Sequence, residues 1–489
     1  MSEKMAVRLE RFYCAAALLL MVVLFMVLVC SLAADWTWCG GIAAALGLGA
    51  LAFQLKRTRL NECAVQTITG ISLLGLCIAQ IGIGLSLRYV PAWDLDAIYC
   101  GAIQWVETGA FSDYTEYFQY FSNNLGGMLM LAALFAPARM LGASDYFLLA
   151  TVFNSALVTA SVAITVWIAR KWYGTAGGLW TLIFFLLCVP FYFMGPVFYT
   201  DTLSMIFPVA LLALYIRLKE TTAVRRWGYA VGMGVVLALG MTVKFTVLIM
   251  GIAIAVDVLL FHLCDRNTVL PMLILCGVTA TEYVLIRCIF YPMYLDPAEA
   301  AQMNTPISHW IMMGLKGNGG YNGEDYVFTR SFTDPVARNE AIRAEIGRRI
   351  RELGVTGLLD LAKRKWAVCF GDGTFVLDTF LDDTPLARTW AHEWVMRDGA
   401  YFQWYRWWSQ SIWIAALLLT GTAAGRGAKR RTTAFSGAVP VLAVAGIMLF
   451  TLLWETSGRL VLHYVPIVLL AASGVMSGQI PNRISIPAE

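Results

Sequence analysis

About a dozen times along its 489 residues this chain runs apolar for long enough to cross a hydrocarbon core of ~30 Å, so lipid must solvate most of it. The runs lie near residues 12–33, 38–55, 64–87, 147–169, 175–195, 199–216, 228–243, 245–263, 268–290, 410–425, 434–453 and 460–479. The composition agrees: 59% hydrophobic, 14% charged, with a mean hydropathy of +0.67, far from a soluble domain of this size. The expected fold class is an all-α polytopic membrane protein of about 12 transmembrane helices. The first run follows Lys4, Arg8 and Arg11 and suits a signal anchor, because no small-residue cleavage site precedes the next apolar stretch.

The net charge of +4 is slight and no basic tract interleaves with aromatics, so nucleic acid is not an expected partner. Most of the 11 cysteines fall inside apolar runs and none are spaced CxxC, which supports neither a disulfide framework nor a zinc site.

Residues 123–142 form a further apolar stretch, interrupted by Pro137 and Arg139. If they do not span, the clusters Lys4/Arg8/Arg11, Lys56/Arg57/Arg59, Arg170/Lys171, Arg217/Lys219/Arg225/Arg226, Arg266 and Arg426/Lys429/Arg430/Arg431 all become cytoplasmic. The stretch therefore reads as an interfacial or re-entrant helix. Residues 1–290 then form an N-terminal membrane module with a first outer loop at 88–122. An extracytoplasmic helical region follows at 291–409, and C-terminal membrane helices at 410–489. The middle region holds an expected amphipathic helix from Asp334 to Leu353. Its apolar face is Ala337, Ala341, Ile342, Ile346 and Ile350, opposite Arg338, Glu345, Arg348 and Arg349.

Chemistry is expected where carboxylates and cations return to the outer face. Asp94 and Asp96 follow a membrane helix in an aromatic setting, where a partly desolvated carboxylate suits a general base; the alternative is that one caps the next helix. Glu116, Tyr120, Asn123 and Asn124 offer rings and amides to a sugar, or belong to an interfacial aromatic belt with Asn123 as a cap. Asp201, beside Tyr199 at the turn of an apolar hairpin, needs a partner, an ion or a capping role. Lys244 breaks an apolar pair of segments and either neutralises a lipid phosphate or snorkels to the interface. Arg459, near Glu455, His463 and Tyr464, either contacts a phosphate or pairs with Glu455.

The ordered set Trp93-Asp94, Tyr120 to Asn124, Tyr199-Thr200-Asp201-Thr202, Thr242-Val243-Lys244-Phe245 and Glu455 to Arg459 with Tyr464-Val465-Pro466 resembles the GT-C superfamily of membrane glycosyltransferases. The likeness is greatest to bacterial relatives of protein O-mannosyltransferases, glycosyltransferase family 39, and of the aminoarabinose transferase acting on lipid A. Residues Thr305 to Leu315, with His309, and Gly320-Tyr321-Asn322 look like a feature of a Gram-positive branch. The resemblance implies inverting transfer of a sugar from a polyprenyl-phosphate carrier to a cell-envelope acceptor, at the extracytoplasmic face of the plasma membrane. A divalent cation, magnesium or manganese, either assists or is not needed. It maps the base onto Asp94, with Asp96 as the alternative because the adjacent Asp-Glu pair of some relatives is missing here. It maps a second acid onto Asp201 and donor-phosphate contacts onto Lys244 and Arg459. His309 either binds substrate or serves helix packing.

Such chemistry asks little of a protein, since polyprenyl phosphate takes up the leaving group's charge and no nucleotide-binding loop is needed. The sequence has no Walker or Rossmann glycine pattern in a suitable context. The rival reading, a transporter or flippase of lipid-linked glycans, requires ionisable residues at the membrane midplane, for which Asp257, Glu282 and Arg287 are the candidates, although a buried pair of Glu282 with Arg287 or its neighbours is expected instead. A ligase or polymerase of the same fold is a third.

Overall fold

Where they are described, these runs are mostly helical. The computed structural model describes residues 3–33, 35–55, 61–110, 112–221, 224–262, 266–381, 385–430 and 437–478. Of the basic clusters, Lys56, Arg57, Arg59 and Arg431 lie outside the described residues, among which an isolated bridge between Tyr89 and Pro385 is the sole strand-like pairing. Among the described residues, seven helices are long and apolar enough to cross a membrane: Lys4–Ser31, Glu62–Ser86, Tyr146–Leu187, Thr200–Glu220, Arg225–Val243, Thr268–Met293 and Gly458–Ser477. Shorter apolar helices are Thr37–Phe53, Phe245–Phe261 and Ala438–Leu453. The run at 410–425 lies in Phe402–Lys429, which begins earlier than its apolar part. The chain is an all-α, multi-pass membrane protein.

The outer helices show why lipid is their solvent. Glu62–Ser86 leaves Ile68, Ile71, Leu74 and Ile78 exposed at spacings of three or four, one stripe with no protein against it. Two apolar runs share the element Tyr146–Leu187, which breaks at Gly174, where φ is 69° and a residue without Cβ meets no penalty. The second half returns beside the first. Asn154 in the first half donates to the carbonyls of Met194, Gly195 and Val197 beyond the second.

Basic residues from separate segments gather at one end. There Lys171 pairs with Glu220 at 2.6 Å, Arg170 with Glu62 at 3.2 Å, Arg217 lies over the Trp167 ring, and Arg11 donates to the Ala428 carbonyl. The 88–122 and 291–409 segments cover the opposite end, joined where Leu386 N donates to Arg88 O and Thr305 N to Tyr120 O. Residues 123–142 form the helix Leu125–Met140, lying alongside Trp93–Thr108 and in the same direction, with Ile98 against Gly127 and Arg139 bonded to the Val106 carbonyl. Its two ends stay at this end of the bundle. Asn124 bonds Tyr117 at one, and at the other Asp145 pairs with Arg88, two residues beyond the end of Glu62–Ser86.

The expected amphipathic helix exists but is longer and turned. It runs Pro335–Phe370, capped by Asp334 and broken at Gly354, with Ala337 and Ile350 exposed while Arg338 is buried and Arg349 nearly so. The reason is a polar neighbour. Arg349 forks onto Asp325 at 2.6 and 2.7 Å and Arg338 donates to the Gln302 carbonyl at 2.8 Å, so the helix docks through guanidinium groups as well as Ile342.

Candidate functional site

Asp94 is the second residue of Trp93–Thr108, a helix whose N-cap is Ala92 and has no side-chain cap bond, so its carboxylate is not spent on capping. Both oxygens are held by phenols. Tyr117 donates to Oδ1 at 2.7 Å and Tyr199 to Oδ2 at 2.9 Å. Tyr117 in turn accepts from Asn124 Nδ2 at 2.6 Å, and Asn124 Oδ1 accepts from Asn123 Nδ2 at 3.0 Å. Burial, and then the neighbouring Asp94, push the Tyr117 phenol well above its ordinary range, which keeps it a donor. Trp93, just before, is 83% exposed and holds a left-handed φ of 54°. A bulky residue adopts that conformation only under constraint, as at binding and catalytic sites.

Asp201 is fully buried in the short helix Thr200–Leu203. Its N-cap is Tyr199, and its carboxylate binds two cations instead: Lys244 Nζ at 2.5 Å and Arg459 Nη1 at 3.4 Å. Lys244 sits in extended backbone where Arg225–Val243 ends and Phe245–Val247 begins, with its side chain 12% exposed. It is therefore held inward and does not snorkel. Arg459, from Gly458–Tyr464, lies over the Tyr199 ring at 4.9 Å and the Phe380 ring at 5.9 Å. Tyr199 thus joins the two halves of the site, since its hydroxyl holds Asp94 and its face carries the Arg459 guanidinium. Glu455 lies close enough to feel Arg459, Asp94 and Lys244, and burial raises its carboxyl above the ordinary range.

Phe380 is placed by a strained turn. Phe375 and Val376 both have left-handed φ, near 57° and 58°, and Asp372 braces them by accepting from Thr374 N at 2.9 Å and Val376 N at 3.2 Å before Leu377–Leu381 starts.

The remaining expected residues lie around this centre or apart from it. Asp96 accepts from Tyr114 at 3.2 Å. Glu116 pairs with Arg330 at 2.9 Å, and the same guanidinium covers the Tyr120 ring at 3.5 Å. His309 is buried, with Nδ1 bonded to Thr329 Oγ1 at 2.6 Å and its ring against Trp310; burial lowers its pKa to about 4. Tyr464 is fully buried and donates to the Thr246 carbonyl at 3.1 Å, which makes it part of the packing beneath the site. Among the described residues no three His, Cys, Asp or Glu side chains gather as a metal site. Sequence reasoning passed over Tyr117 and Phe380. Tyr117 stands within the aromatic stretch already noted, but only the fold shows that it, and not Tyr120, reaches Asp94.

Two of the three ionisable residues named for a transporter engage partners of their own. Asp257 accepts from the Tyr215 hydroxyl and lies 3.6 Å from Lys219, near the basic end. Arg287 turns to Ser122 and the Tyr283 and Tyr291 rings, and no ion pair between it and Glu282 forms among the described residues.

The family described as conserved hypothetical integral membrane protein matches residues 42–479. No curated protein matches the sequence. Among solved structures, ArnT from Cupriavidus metallidurans, crystallised bound to undecaprenyl phosphate, is similar at 13% identity and a TM-score of 0.36, over 83% of this chain and 77% of that one.

Proposed function

We propose, from the premise that this chain belongs to the family of conserved hypothetical integral membrane proteins, that it is a glycosyltransferase of GT-C type. It moves a sugar from a polyprenyl-phosphate carrier to a hydroxyl or amine of a cell-envelope acceptor, on the extracytoplasmic face of the plasma membrane. One observation carries this reading. A carboxylate fixed by two phenols stands beside a lysine and an arginine that share a buried aspartate, at the end of the bundle opposite the basic clusters.

The division of work follows from donor and acceptor counts. Asp94 accepts one bond on each oxygen and keeps lone pairs for an acceptor proton. Lys244 has three N–H donors and Arg459 five; Asp201 engages one of each, which leaves the rest for a phosphate. Asp94 takes the acceptor's proton as its oxygen or nitrogen attacks the anomeric carbon. The bond from that carbon to the phosphate oxygen breaks, and the phosphate leaves with the electron pair toward Lys244 and Arg459. A single displacement inverts the anomeric centre. Trp93, exposed beside Asp94, is suited to stack on the sugar.

The test is sugar transfer by purified protein in liposomes, with radiolabelled polyprenyl-phosphate hexose and crude cell-envelope acceptor. Wild type should transfer label, and Asp94→Asn should lose ~10²-fold or more of that activity. Label that crosses the bilayer without transfer, unchanged in the variant, would replace the transferase with a transporter.

A further inference from the structure

Apart from the Asp94 centre, two arginines without an ion pair among the described residues line one cavity. The cavity, about 350 Å³, is lined by Ser122, Arg287, Asn304, Arg338 and Asn339, with apolar walls that include Leu295 and the neighbouring prolines. Arg338 is 4% exposed and its buried Nε has no hydrogen-bond partner. Its other bond is from Nη1 to the Gln302 carbonyl at 2.8 Å. Arg287 donates to Ser122 Oγ at 3.3 Å and stacks on two tyrosine rings. Among the described residues neither guanidinium is ion-paired. The nearby Asp334 carboxylate is spent as the N-cap, accepting from Ala337 N at 2.7 Å.

The contrast with neighbouring arginines is physical. Arg330 and Arg349 in the same region are satisfied by Glu116, and by Asp325 and Glu345. A buried guanidinium left with an unbonded N–H, as in Arg338, is costly, and with the half-buried Arg287 on the same cavity it makes a socket for an anion.

We infer that this cavity binds the phosphate of a lipid headgroup, held by Arg287 and Arg338 with the Asn304 and Asn339 amides beside it. Depth and surface point to lipid as the source. Arg287 belongs to the last turns of Thr268–Met293, a helix apolar enough to cross the membrane. Val284, Ile289, Phe290 and Met293 on the same stretch are exposed, which offers acyl chains an apolar track leading to the two guanidinium groups. The site shares only Ser122 with the Tyr120–Asn124 segment and stands whether or not the transferase reading does.

The test uses full-length protein in detergent, with binding followed by native mass spectrometry and by the shift in melting temperature. The probes are phosphatidylglycerol, phosphatidylcholine and inorganic phosphate. Phosphatidylglycerol should bind more tightly than phosphatidylcholine and be displaced by inorganic phosphate. Arg287→Gln, at a half-buried position, should weaken that binding about tenfold, the loss of one charge-assisted contact. Arg338→Gln should do the same if it folds, and Arg348→Gln, at an exposed position away from the cavity lining, should change nothing. Equal binding of the two lipids, or phosphatidylglycerol binding unaltered by Arg287→Gln, would overturn the assignment. Phosphate binding without a lipid preference would place the ligand in solution and overturn its lipid source.

Discussion

A hydroxyl that holds a carboxylate in place does less than the carboxylate itself, and the two are separable by mutation. Tyr117→Phe removes the 2.7 Å bond to Asp94 and leaves Tyr199 on the other oxygen. The expected outcome is a fall in transfer of roughly tenfold, smaller than for Asp94→Asn, with the donor KM little changed, measured in the same liposome assay. His309 gives a prediction in pH. Its folded value, about 4, lies below the ordinary 6.5, so burial of the neutral ring favours the fold above pH 6.5, and that contribution is lost as pH falls toward 4. Melting temperature should therefore drop on acidification through this window more steeply in wild type than in His309→Gln. Parallel curves would show that the ring is not the acid-sensitive group.

At the scale of elements, the site depends on short helices set tightly against long ones. Gly126 is the closest of these approaches: a Cβ there would stand 2.1 Å from the Thr242 carbonyl oxygen, two residues before Lys244. Gly126→Val should push Leu125–Met140 off the end of Arg225–Val243, destabilising the fold by ~1–3 kcal/mol, seen as a lower melting temperature. Because Asn124 begins the displaced helix and bonds Tyr117, transfer should fall further than the lost stability explains. The long helices contribute differently. They end where Lys244 and Arg459 are needed, in extended or 3₁₀ backbone that leaves those side chains free to turn toward Asp201.

For the whole molecule the distribution of charge is the informative property. Basic residues meet at one end and the Asp94–Asp201 centre forms at the other, and from the positive-inside bias we propose that the centre faces away from the cytoplasm. With native cysteines replaced by serine, Trp93→Cys should react with a membrane-impermeant maleimide in intact cells. Val224→Cys, 80% exposed beside the basic cluster, should react only after permeabilisation. The reverse pattern would turn the protein over and with it the proposed acceptor.

The apolar runs, their helical state and the grouping of basic residues were determined by the sequence alone, because each follows from local hydrophobicity and charge, and lipid leaves the backbone no alternative to internal hydrogen bonds. The residues Asp94, Asp201, Lys244 and Arg459 were legible individually, as polar groups at the ends of apolar segments. Their partners were not. That Tyr117 and Tyr199 bracket Asp94, that Arg459 pairs with Asp201, and that Arg338 lies on the buried face of its helix were decided by tertiary structure. Contacts between residues 23, 105 and 258 positions apart leave no trace in local pattern, and a polar group can be buried wherever another segment supplies its hydrogen bonds.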